Sequence, residues 1–496
     1  MRASLRLGRL ALPLLALGAC ATTPAPPPEG VQEALLLPAD WLYRPALATS
    51  AVPTPGTPYT AAGGAAPTAP ALAAWWQWFG DPVLSSWTAA ALQGNPRVAS
   101  ARAAWQQASA QRDAAAAALQ PTLGAGASAR QDSSGSGSGS GDTGRSNQTF
   151  GVALDASWSP DVFGAQQQAL AAAEATQRAR EATLGDVQVQ VAAEAAQAVL
   201  AWRLQQLRLA LALQTLASQQ QTLQITDWRQ QAGLVGLLEL AQARAAVAQT
   251  QALVPALQTA IAQGRHTLAV LAGLPPARGP LLDDSAPPGA LPMPPATLAL
   301  AIPADTLRQR ADVRTAEHEV AAALARVGQA EAQRWPSFTL GGSVGLSALT
   351  LGALGQGSAL VSSLLAGVSL PVFDGGLRAA QLQGQQAALL QARQAHRVAV
   401  LVALQDVEDA LVALQGQRLQ LGSQQQAVQA AAQAEQLARQ RYGSGLVDFQ
   451  TVLETQRTLF GAQDAELGTR ADITRSHIQL YTALGGGWAA PAGVLR

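Results

Sequence analysis

Hydrophobic and polar positions along the chain follow two periods. From about residue 165 to 231, and again from about 376 to 442, Ala, Leu and Val recur every three to four residues among Gln and Arg with no Pro, as at Val187, Val191, Ala198 and Leu200. That spacing predicts two helices of about 67 residues, each about 100 Å long at 1.5 Å per residue. Shorter helical patterns precede them (about 82–119 and 303–334) and follow them (about 236–272 and 446–485). Alanine-rich stripes on helices of this length point to side-by-side, coiled-coil-like packing rather than one globular core.

Between the helices the period drops to two. Phe150, Val152, Leu154, Ala156 and Trp158 alternate with small or polar residues, as do Phe338, Leu340, Val344 and Leu346. Leu123 to Ala129 and Leu364 to Leu370 repeat the pattern, so four strands are expected. Gln131–Gln148, rich in Ser and Gly, and Thr350–Ser358 are expected as the loops between them.

The order helix, two strands, long helix, helix occurs twice. Leu92, Ala101 and Pro121 recur as Leu307, Ala316 and Pro336 at a constant offset of 215, and Gly233-Leu234-Val235 recurs as Gly445-Leu446-Val447 at an offset of 212. The drift fits loops of unequal length. The expected organisation is therefore a signal segment (1–19), an extended N-terminal segment (20–80), a first repeat (81–275), a Pro-rich linker (276–302), a second repeat (303–487) and a short tail (488–496).

Ten-residue strands that are apolar on one face and small or polar on the other, with Trp158, Phe163, Trp335 and Phe373 near their ends, suit a transmembrane β-barrel with an aromatic girdle. Four strands cannot close a barrel, and open edges are not tolerated in lipid. The membrane unit would have to be an oligomer, and three copies would make a barrel of twelve strands with room for water. A lipid-anchored coiled-coil tether without a pore would share the helices and lack the alternating strands.

The N-terminus says where the chain goes. Arg2, Arg6 and Arg9 precede an apolar run, Leu10–Leu17, and then Gly18, Ala19 and the only cysteine, Cys20. Leu17-Gly18-Ala19-Cys20 resembles the bacterial lipobox, which makes Cys20 the expected site of lipid attachment and Ala21 compatible with transit to the outer membrane. Residues 21–70, rich in Pro, Ala, Thr and Gly, read as an extended tether.

Composition narrows the function. The 32 basic residues, all Arg, and 32 acidic ones cancel, and loss of the three signal arginines leaves −3, so nothing favours nucleic acid. One Cys and four scattered His leave no disulfide scaffold, no resident metal and no cofactor beyond the lipid expected on Cys20. Catalytic spellings fail on context. Gly341-Gly342-Ser343-Val344-Gly345 lies in a strand, not at the strand-to-helix turn a nucleophile elbow needs. Glu317-His318-Glu319 has Ala322 where a second zinc ligand would stand, and reads as a solvated helix face. The Gly-Ser run 134–141 lacks the flanking strand and helix of a phosphate loop, and Asn147-Gln148-Thr149 is a sequon by spelling only.

Several segments, in order, carry a family resemblance: Trp75-Trp76-Gln77-Trp78-Phe79-Gly80-Asp81-Pro82, Asn95-Pro96, Asp161-Val162-Phe163-Gly164, Pro371-Val372-Phe373-Asp374-Gly375-Gly376, Arg441-Tyr442-Gly443-Ser444-Gly445-Leu446-Val447-Asp448-Phe449 and Val452-Leu453-Glu454-Thr455-Gln456-Arg457. With the duplication, they make the mature chain similar to the TolC-type outer membrane efflux proteins, in their NodT/OprM-like lipoprotein branch. The resemblance implies an α+β membrane protein: a homotrimer with a twelve-stranded β-barrel in the outer membrane of a Gram-negative bacterium, continued by a periplasmic α-barrel of long antiparallel helices. It implies an exit duct for small molecules and no enzyme activity, served by a periplasmic adaptor and an inner-membrane transporter of the RND type. A protein-secretion outlet would share this architecture. It places Glu454 and Arg457 at the periplasmic gate, and Gly233, Gly445 and Asp448 at the turns that meet the adaptor.

Overall fold

A computed structural model of the chain describes residues 72–133, 146–276, 289–292, 310–355 and 360–488. Cys20, the signal segment, the Gly-Ser run 134–141 and most of segments 20–80 and 276–302 lie outside the described residues. The elements are α1 (Pro82–Gly94), α2 (Pro96–Ala117), β1 (Thr122–Ser133), β2 (Ser146–Trp158), α3 (Ala165–Gln231), α4 (Leu237–Leu271), α5 (Ala311–Ala332), β3 (Ser337–Ala348), β4 (Leu360–Ser369), α6 (Leu377–Gly443) and α7 (Phe449–Ala483).

The helix expected over 82–119 is two helices. Pro96 has no N–H to donate and pushes Asn95 out of the helical region, to ψ 125°. Asn95 thus ends α1 and caps α2, its Oδ1 accepting from the Arg97 amide at 2.8 Å. The strands also run further than expected: β1 and β2 take three residues from each end of the segment read as a loop, pairing Ser133 with Ser146. Within the second expected loop, Leu351–Gly355 forms a 3-10 turn.

The two long helices each span 67 residues and begin after a left-handed glycine, Gly164 (φ 80°) or Gly376 (φ 91°). A residue with a Cβ is strained there, so glycine turns the chain sharply out of the sheet connection. On α3 the buried stripe in its first turns is Ala172, Ala175, Ala179 and Ala182, small enough for α5 to lie close alongside. Larger residues gather where the short helices pack. Trp75, Trp76, Phe79, Leu84 and Trp87 meet Leu200 and Trp202 of α3, Leu268 of α4, and Ile478 and Tyr481 of α7. Trp75, fully buried, stacks on Tyr481 at 5.8 Å. Asp81 caps α1 through the Val83 and Leu84 amides and forms a buried ion pair with Arg203, which also donates to the Ala290 carbonyl at 2.8 Å. The pair ties the N-terminal segment to the long helix, and each charge keeps a partner in an environment that would penalise it alone.

The strands form one antiparallel sheet in the order β1-β2-β3-β4. Leu154 lies opposite Ala125 and Val344, and Asp155 opposite Gly124 and Ser343, so the apolar and polar faces expected from the alternation are continuous from β1 to β3. In β4 the division is looser, with Ser362 on the apolar face and Val361 and Leu365 on the polar one.

Candidate functional site

Two parts of the molecule make up the candidate site. The first is the sheet. Leu123 (73% exposed), Val152, Leu154, Val344, Leu364 (82%) and Val368 all stand uncovered on its apolar face. On the opposite face hydroxyls pair across strands, Thr122 with Ser157 at 2.8 Å and Ser343 with Ser363 at 2.7 Å. Ser343 is thus a strand hydroxyl engaged with its neighbour. Asp155 stands on this polar face, exposed. At the helix end of the sheet, Phe163 stacks on Trp335 (5.6 Å) and Phe338 (6.3 Å), clasping the two hairpins. Among the described residues both outer strands, β1 and β4, present an unpaired edge. In water the bare face is unfavourable; in lipid it is satisfied and the edges are not. No described helix is long and apolar enough to cross a membrane.

The second part is the pair of turns at the far ends of the long helices. Gly233 (φ 71°) and Gly445 (φ 75°) end α3 and α6 in the same closed form. Leu234 donates to the Arg229 carbonyl at 2.8 Å and Leu446 to the Arg441 carbonyl at 2.9 Å, satisfying carbonyls that the helix ends leave free. The returns differ. Gly236 opens α4 with no side-chain cap, leaving Leu237 and Leu238 exposed. Asp448 opens α7 by accepting from both the amide and the hydroxyl of Thr451. The Thr451 hydroxyl, and then its amide, hold the Asp448 carboxyl below the usual carboxylate range. Phe449 then turns inward against Tyr442, 5.4 Å between rings.

The two hairpin tips are clamped together from α3. Arg229 donates to the Tyr442 carbonyl at 3.0 Å with its guanidinium 4.6 Å from the Tyr442 ring centre. Further from the tip, Arg439, paired with Glu435, donates to Ser218 at 2.7 Å, and Arg208 pairs with Asp464 at 2.8 Å. Glu454 and Arg457 lie one turn apart on the exposed side of α7. Among the described residues neither side chain pairs with the other or with any third group, so both are open to a neighbour outside the chain.

Sequence reasoning missed the joint at the base of each repeat. Arg310, buried before α5, pairs with Asp312 and Asp406 and donates to the Ala483 carbonyl. His477 is fully buried, with Nε2 3.4 Å from Arg418 and, among the described residues, no partner at Nδ1. Burial, and then the Arg418 charge, press its pKa down to about 4. A lone His or Arg in an Ala-rich helix carries no periodic signal, although Arg310 does stand at the position that repeats Asn95. His318 is half-buried rather than solvated, and burial lowers its pKa, because α5 lies along α3.

A bare four-stranded sheet on paired helices of this length is the fold of outer-membrane channels. The channel OprN superposes with a TM-score of 0.78 at 32% identity, over 84% of this chain and 93% of that one. In sequence, the pyoverdine export outer membrane protein OpmQ of Pseudomonas putida is 33% identical over 492 residues, 97% of each chain. Nodulation protein T of Rhizobium leguminosarum bv. viciae is 28% identical over 423 residues, 85% of this chain and 86% of that one. The outer membrane efflux protein family matches residues 87–274 and 302–486, and the chain belongs to that family.

Proposed function

We propose that this chain is the outer-membrane exit duct of an efflux pump, working as a homotrimer. Three sheets join edge to edge into a twelve-stranded barrel, and their helices continue it as a periplasmic α-barrel. The observation that carries the reading is the pair of open edges, β1 and β4, on a sheet whose apolar face is bare. A lipid on Cys20 adds a membrane anchor, and a periplasmic adaptor and an RND-type inner-membrane transporter deliver small molecules into the duct. The chain passes its cargo without transforming it.

The periplasmic end is the gate. Glu454 and Arg457, unpaired among the described residues, tie neighbouring subunits when the duct is closed, and the turns at Gly233, Gly445 and Asp448 receive the adaptor. Glu454, one from each subunit, would also place a ring of carboxylates at the constriction and favour cations.

Single-channel recording of the detergent-extracted protein in planar bilayers, with the oligomer mass measured on the same sample, tests this. A trimer with discrete conductance steps is expected, and Glu454→Ala with Arg457→Ala should enlarge those steps severalfold. A non-conducting, monomeric rod would overturn the reading in favour of a lipid-anchored tether.

A further inference from the structure

A cleft of about 550 Å³ opens where the helices meet the sheet. Four helices wall it: the last turns of α2 and α5, which lead into β1 and β3, and the first turns of α3 and α6, which leave β2 and β4. Equivalent positions of the two repeats line it together. Gln111 and Arg326 are related by the early offset of 215, and Ala169 and Gln381, like Ala173 and Gln385, by the later offset of 212. Both repeats therefore turn the same face toward one space. In the duct proposed above, that shared face is the inner one, just below the barrel.

Five glutamines, four alanines and Thr176 supply every lining position but one, and the remaining one is Arg326. No carboxylate lines the cleft among the described residues. On the helices nearby, Asp113 is paired with Arg112, and Glu174 lies 3.8 Å from Arg178. Among the described residues Arg326 makes one hydrogen bond, a long one to the Thr176 hydroxyl at 3.3 Å, and no ion pair. A guanidinium carries five N–H donors and no acceptor, so most of them are left for water or a ligand. The glutamine amides around it add neutral donors that an anion can use. A cation entering the cleft meets amide carbonyls and the like charge of Arg326.

We propose that this cleft binds amphiphilic organic carboxylates. The carboxylate takes a bidentate pair of hydrogen bonds from Arg326, the glutamine amides donate to its outer oxygens, and the apolar body lies on the alanines of α3. The volume suits such a ligand, since small-molecule sites span about 300–1,000 Å³. Arg326 is exposed, so the ligand is held loosely, and a solute in transit must leave as readily as it enters. Every lining residue comes from one chain, so the site itself needs no oligomer; only its place inside a duct rests on the reading above.

The full-length, detergent-extracted protein is titrated calorimetrically with cinnamate and with its neutral analogue cinnamamide. Cinnamate should bind saturably, once per chain, and at least about tenfold more tightly than cinnamamide, a comparison that needs no variant. Arg326→Gln should weaken cinnamate about tenfold and leave cinnamamide unchanged. Arg102→Gln removes the same charge from α2 outside the cleft; at about 0.15 M salt, where screening confines a charge to about 8 Å, it should leave cinnamate within about twofold. Equal affinity for the two compounds, no change on Arg326→Gln, or no saturable binding at millimolar cinnamate would overturn the site. A conducting trimer without Arg326-dependent binding would leave the duct standing and remove the site. A non-conducting monomer that binds cinnamate through Arg326 would do the reverse.

Discussion

In the first repeat Asn95 donates from Nδ2 to the carbonyl of Leu271 at 2.9 Å; in the second, Arg310 donates from Nη1 to the carbonyl of Ala483 at 3.0 Å. The two donors are related by the offset of the early helices, and the two acceptors by the offset of the late ones. Each therefore closes the same joint, tying the start of a repeat's helix before the strands to the end of its last helix. The chemistry differs sharply. Asn95 is neutral and also caps α2, whereas Arg310 brings a buried charge that needs Asp312 and Asp406. Shared geometry with unlike residues shows that the duplicated frame demands a satisfied carbonyl at this point and leaves the donor's identity free.

The comparison can be broken most forcefully at Arg310. Arg310→Ala removes the partner of two carboxylates and orphans the Ala483 carbonyl, and should cost about 3 kcal/mol, seen as a lower melting temperature of the purified protein. Asn95→Ala should cost only about 1–2 kcal/mol, the worth of one cap and one carbonyl bond. Equal losses would mean that the charge adds nothing at the second joint.

A second asymmetry titrates. The position matching His477 in the first repeat is Arg265, which has no imidazole to titrate, whereas His477 is held neutral against Arg418. Above pH 6.5 the imidazole is neutral both folded and unfolded and stability is unaffected. As the pH falls from 6.5 to about 4, the unfolded chain gains a proton that the folded one refuses, so stability drops. The loss approaches about 3 kcal/mol per chain. His477→Gln should flatten the pH dependence of unfolding across that window, and an unchanged slope would remove His477 from the account.

The smallest effect is expected at the turns. Asp448→Ala should destabilise the second tip by about 1 kcal/mol, and Gly236→Ser should stabilise the first by a few tenths by supplying the cap it lacks. Hydrogen exchange at the two tips would register both changes. Equal protection of the tips before mutation would show that the cap difference has no local consequence.

Much of this molecule was legible in advance. The long helices, the four strands and their face polarity follow from periodicity, because burial on one side of a helix or sheet imposes 3.6 or 2 directly on the residue order. The repeat and its drift were readable as spacing. The break at Asn95 was missed because the flanking pattern stays helical on both sides of Pro96. The strand ends within 131–148 were missed because Gln131, Asp132, Ser133, Ser146, Asn147 and Gln148 are all polar and show no alternation, and partner strands, not composition, extended the pairing.

By itself the sequence determined the frame: helix and strand periods, the order of parts, two offsets and the family to which they belong. Only the tertiary structure decided which side chains meet. Arg310 with Asp406, Arg229 with Tyr442 and His477 with Arg418 are separated by 96, 213 and 59 residues. Local pattern records whether a position is buried, since burial repeats with each turn or pleat; which partner waits there depends on how distant helices slide into register.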